Sequence, residues 1–147
     1  MEAAFLLPTF LTLLLLTLQP VCLLYTRSIM ESAAAETARL MITAEEDADA
    51  YEAFALRRLS AVPDLSIFHE GGPLAWDIEL SLAEENDGAV GVAIEGKVSP
   101  LPVLGAFVSA FGSKDADGDV VLRVEVSYEG RPDWLEGNYD TWTEVWE

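Results

Sequence analysis

The chain's first pattern is a long gap in its charge. Between Glu2 and Arg27 no side chain is charged, and the stretch holds Leu6, Leu7, Leu11, Leu13 to Leu16, Leu18, Leu23 and Leu24. At about 1.5 Å of rise per residue such a run, as a helix, is long enough to cross a hydrocarbon core of roughly 30 Å. Residues 1–26 are therefore predicted to form a membrane-anchoring helix. Pro8 and Pro20 lie inside it, where each removes a backbone donor. Thr9, Thr12, Thr17 and Gln19 offer polar groups to the freed carbonyls or to a partner helix. Tyr25 is placed for a membrane interface.

Helical signals continue over 27–62, through Ala33 to Ala35, Ala38, Leu40 and Met41. Tyr51, Phe54, Ala55, Arg58 and Leu59 then recur at i, i+3, i+4, i+7 and i+8, which predicts an amphipathic continuation helix ended by Pro63. The acids from Glu45 to Glu52 form its solvated face.

Beyond Pro63 the period becomes two. Trp76, Ile78, Leu80 and Leu82 alternate with polar or small residues. Val90, Val92, Ile94 and Val98 share a face, as do Val120, Leu122, Val124, Val126 and Tyr128. Three half-buried strands follow, the first two joined by a short turn at Asp87-Gly88. Between the second and third, Leu101, Leu104, Phe107, Val108 and Phe111 recur at helical spacing after Pro100. That stretch is too short to span a bilayer and is read as a short helix packed on the sheet, the better account, or lying against the membrane surface. The expected fold is α+β, with a long N-terminal helix packed on a small, mostly antiparallel sheet of about three to four strands. The head, 63–147, is β-rich and acidic and ends in an aromatic tail.

Charge narrows the partners. The 147 residues carry a formal net charge of −18, and all eight Lys and Arg residues lie at or after Arg27. Nucleic acid is excluded as a partner, because phosphate neutralisation needs clustered Lys and Arg. The single cysteine, Cys22, can form no internal disulfide and is read as a buried thiol. A cleaved secretory signal would need a basic n-region and a shorter apolar core, so the helix is read as a retained anchor. Counting only Arg27 and Arg39 near the span would place the head in the cytoplasm.

Candidate chemistry is sparse. Asp115, Asp117 and Asp119 resemble the start of a calcium loop, but Gly118 stands fourth in the run and the twelfth place is Val126. An acidic turn leading into a strand is the better account. His69 is the one histidine and is read as a loop residue without an identifiable catalytic partner. No phosphate loop or metal-ligand spacing is present, so no enzyme, cofactor or small-molecule substrate is expected. Trp134, Tyr139, Trp142 and Trp146 in the tail either pack on the head or dock a partner.

The segment Glu2-Ala3-Ala4-Phe5-Leu6-Leu7-Pro8, the leucine run, Leu24-Tyr25-Thr26-Arg27 and Ala33-Ala34-Ala35-Glu36-Thr37-Ala38-Arg39 together resemble the TadE-like minor pilins, or pseudopilins, of tight-adherence (type IVc) pilus systems. The resemblance implies a non-enzymatic subunit of the cell envelope, single-pass in the cytoplasmic membrane, with its head outside the cytoplasm and incorporation in a pilus. Its implied partners are other pilins and minor pilins, the pilus assembly platform and membrane lipid. Glu2, Pro8 and Pro20 would be the residues of subunit assembly and processing, with Glu2 matching the pilin-type glutamate. The family pattern sets a short basic leader before that glutamate, whereas Met1 alone stands there. Either an upstream start encodes the leader, or this member is not processed as a prepilin. The alternative reading is a signal-anchored extracytoplasmic binding module unconnected with pili, whose acidic head and Trp-rich tail hold a partner.

Overall fold

The computed structural model describes residues 1–44, 46–83, 88–101 and 113–130. Helix α1 runs Glu2–Thr43 and helix α2 runs Ala48–Leu59. The strands are β1 (Asp77–Ser81), β2 (Ala89–Val98), β3 (Ser113–Lys114) and β4 (Val120–Glu129), in the spatial order β1-β2-β4-β3 with every neighbour antiparallel. The α+β architecture expected from the pattern is the one observed.

At 42 residues α1 extends about 63 Å and continues unbroken through Pro8 and Pro20. Its two halves differ. From Glu2 through Leu18 every side chain is exposed except half-buried Leu16. From Gln19 on, the residues Gln19, Cys22, Leu23, Thr26, Met30, Ala33, Ala34, Thr37 and Ala38 are buried. Their three-and-four spacing draws one stripe along the helix, and the alanines in it let the helix lie close to the sheet. The core joins Leu23, Met30, Ala33, Ala34 and Ala38 to Val92, Ile94, Val98, Val120, Leu122 and Val124. Each large side chain so buried contributes about 1.5–3 kcal/mol.

The helix expected to continue over 27–62 is instead two helices. Ala44 is extended, with φ −126° and ψ 143°. Acidic residues are unfavourable at a helix C-terminus and favourable at an N-terminus. A break here sets Asp47 at the N-cap of α2 and Asp49 in its first turn, with Arg57 and Arg58 in its last. Tyr51 fastens the corner: its hydroxyl donates to the Ala44 carbonyl (2.7 Å) and accepts from the Glu46 N–H (2.9 Å). Helix α2 returns along α1, where Arg58 pairs with Glu36 at 2.7 Å.

The three alternating segments are strands, and their register matches the pattern. Ile78 faces Ile94, Leu80 faces Val92, and Ile94 faces Val124, so the apolar sides align on the face that α1 covers. On the other face Arg123 donates to Glu79 (2.7 Å) and Glu95 (3.4 Å). Gly88, with φ +88°, leads into β2, while Asp87, the short apolar helix expected after Leu101 and the aromatic tail lie outside the described residues. Strand β3 was not anticipated, since two exposed residues carry no period.

Candidate functional site

The polar residue Gln19 marks the point where α1 enters the head. It is wholly buried, and its amide is used at both ends. Nε2 donates to the Ser99 carbonyl at 3.2 Å, and Oε1 accepts from the Leu101 N–H at 2.7 Å. Seven residues on, the Thr26 hydroxyl donates to the Phe68 carbonyl at 2.9 Å. Tyr25 donates to the Ala61 carbonyl at 3.2 Å and meets the Phe68 ring edge-on, with centroids 5.8 Å apart. The end of β2 and the loop after α2 are thus tied to the last two turns of the uncharged run.

Below this junction the helix is free. Phe5, Leu6, Leu7, Phe10, Leu11, Leu13, Leu14, Leu15 and Leu18 are all exposed. Glu2, in the first turn, stands at the far end of this apolar surface, and Pro8 lies within it. Pro20 is half-buried where the head begins. The three residues assigned to assembly are therefore strung along one helix and do not converge on a pocket. Thr9, Thr12 and Thr17 donate to the carbonyls of Phe5, Pro8, Leu13 and Leu14 in their own preceding turns. They do not reach Ala4 or Leu16, the carbonyls that Pro8 and Pro20 leave without a ladder donor, and Gln19 serves the head instead.

The other candidates resolve into structure. Asp115, Asp117 and Asp119 lie in the tight turn between β3 and β4, closed by Asp115 N–H to Asp119 O (2.8 Å) and Gly118 N–H to Asp115 O (3.0 Å), with Gly118 at φ +89°. Asp115 pairs with Lys97, and Asp119 accepts from the Ser99 hydroxyl at 3.2 Å. Each partner of the ion pair holds the other charged: Lys97 sits above its usual pKa and Asp115 below, chiefly through their mutual hydrogen bond. Among the described residues no group of three or more His, Cys, Asp or Glu side chains is placed to hold a metal ion. Trp134, Tyr139, Trp142 and Trp146 lie outside the described residues.

His69 is a loop residue, as expected. It lies between α2 and β1 but is buried, stacked on Trp76 with centroids 3.7 Å apart and planes 8° from parallel. The stack needs Gly96, where an added Cβ would fall 2.4 Å from the indole ring. Burial lowers the His69 pKa, against the raising effect of the Ala75 carbonyl and of Asp64 and Glu70. Its Nε2 and the Glu70 Oε2 are buried without a hydrogen-bond partner. The stack on Trp76 places the ring in the packing of the loop.

The arrangement defines a class: a small α+β head borne on one helix, α1, which is the one helix among the described residues long and apolar enough to cross a membrane. Residues 1–39 match the family model described as TadE-like protein. This N-terminal stretch is therefore a TadE-like segment, as its residues had suggested. No curated protein and no solved structure matches the chain.

Proposed function

We propose that this protein is a non-enzymatic, membrane-anchored minor pilin, or pseudopilin, taking part in assembly of a tight-adherence type pilus. The observation that carries the reading is the coincidence of the TadE-like match over residues 1–39 with a helix left bare from Glu2 to Leu18. A helix apolar all round is stable only in lipid or among other apolar helices. In a bilayer the free half of α1 is solvated by acyl chains, and on assembly it exchanges them for the helices of neighbouring subunits. The head stays outside the cytoplasm, and the partners are companion pilins and the assembly platform.

Glu2 has a defined part in this exchange. A carboxylate drawn into lipid is costly unless a cation meets it. A neighbouring subunit's N-terminal amine would supply that charge and set the stagger between helices. Replacing Glu2→Ala is expected to abolish co-purification of companion pilins while leaving membrane insertion intact. A topology reporter fused after Glu147 should read outside the cytoplasm, and a cytoplasmic reading overturns the proposal.

A further inference from the structure

The free part of α1 is too short for the membrane it would cross. From Glu2, the charge that bounds the apolar run, to Leu18 there are 17 residues, or about 25 Å of helix, against a hydrocarbon core of roughly 30 Å. Any tilt shortens the reach further. The outer face of the helix agrees with this count. Past Gln19 it remains apolar and open, with Val21 61% and Leu24 55% exposed, up to Tyr25 and the first charge at Arg27. The bilayer boundary indicated by the helix therefore lies about two turns inside the head.

Hydrogen bonds show which part of the head shares that depth. Gln19 holds Ser99 and Leu101, and the Ser99 N–H in turn donates to the Ser66 carbonyl at 3.0 Å. Leu65, the neighbour of Ser66, is thereby carried to the level of Gln19, and it is 58% exposed. The burial of Gln19 has the same explanation. An amide at membrane depth is tolerable when every polar group finds a protein partner, and Gln19 satisfies both ends of its own and caps two backbone groups of the rim.

We propose that the rim of the head around Leu65 and Leu101 is a second membrane contact, seated in the acyl–headgroup boundary of the bilayer that α1 spans. This rests on α1 being a membrane span, and the occupant of the rim is lipid. Immersion fixes the height and orientation of the head, which a lone helix would leave free to turn.

The test uses the full chain, with Cys22→Ala as background, in phosphatidylcholine vesicles. An environment-sensitive fluorophore is attached at Leu65→Cys, at Leu11→Cys in the free helix, or at Ser127→Cys on the outer sheet face. All three parent positions are exposed. The proposal expects the label at 65 to be quenched by lipids carrying a spin label near the headgroup, and to be several-fold less accessible to aqueous iodide than the label at 127. Shortening the acyl chains from dioleoyl to dimyristoyl should raise its iodide accessibility. A label at 65 as accessible as that at 127, with the label at 11 still shielded, overturns the proposal and leaves the span intact. If the label at 11 is also open to iodide, the span itself fails and the proposal with it.

Discussion

Replacing Gln19 with leucine removes the polar junction between helix and head while keeping a side chain of similar size. Two groups then lose their partner, the Ser99 carbonyl and the Leu101 N–H, beside a residue with no exposed surface. Leaving a buried donor or acceptor unsatisfied costs about 1–3 kcal/mol. The leucine regains part of this by apolar contact, so the net loss is about 2–3 kcal/mol. For a unit of this size that lowers the melting temperature by roughly 10 °C. The assay is thermal unfolding of the full chain in one detergent, followed by circular dichroism, with amide hydrogen exchange read at Leu101. Gln19→Glu sharpens it. A glutamate keeps an acceptor for the Leu101 N–H but sets a carboxylate oxygen against the Ser99 carbonyl, so it should be worse than leucine at neutral pH and recover as acid protonates it. Unchanged melting and unchanged protection at Leu101 in Gln19→Leu would refute the reasoning.

Other expectations follow from the packing. Gly96→Ala drives a methyl into the Trp76 ring; overpacking of this kind costs about 1–3 kcal/mol, and the near-ultraviolet dichroism of Trp76 should weaken. The lowered His69 pKa means that below the ordinary histidine pKa near 6.5 the unfolded chain takes up the proton first. Stability should therefore fall with acidification by up to about 1.4 kcal/mol per pH unit until the folded-state pKa is reached, and be flat above 6.5. His69→Phe keeps a ring on Trp76 and should abolish that slope. Arg123→Ala breaks two ion pairs whose side chains are all about a third or more exposed, and it should leave the melting temperature within error because water screens such pairs.

Much of the architecture is written in local periodicity. The uncharged run announced α1, and strict alternation announced β1, β2 and β4 with the correct inward faces, because burial of one face imposes a two-residue period that survives in the sequence. The break at Ala44 was obscured because the acids beside it also suit a solvated helical face, and only their position relative to two helix dipoles separates the readings. The role of Gln19 was out of reach for another reason. Its partners lie 80 and 82 residues away, and a lone glutamine in an apolar run looks the same whether it meets lipid, a partner helix or its own head. His69 is similar, since a histidine followed by Glu70 and two glycines reads as an open loop until Trp76 is seen stacked upon it. Glu2, Pro8 and Pro20 were legible as a motif rather than as geometry, for they are strung along one helix and do not converge on a pocket.

The central claim, that the bare half of α1 is an assembly surface, is tested most directly by a photo-crosslinking residue at Leu11 in cells producing the pilus. The account predicts adducts with another pilin-type subunit, lost in Glu2→Ala. Adducts with lipid alone, in cells that are assembling pili, would contradict it.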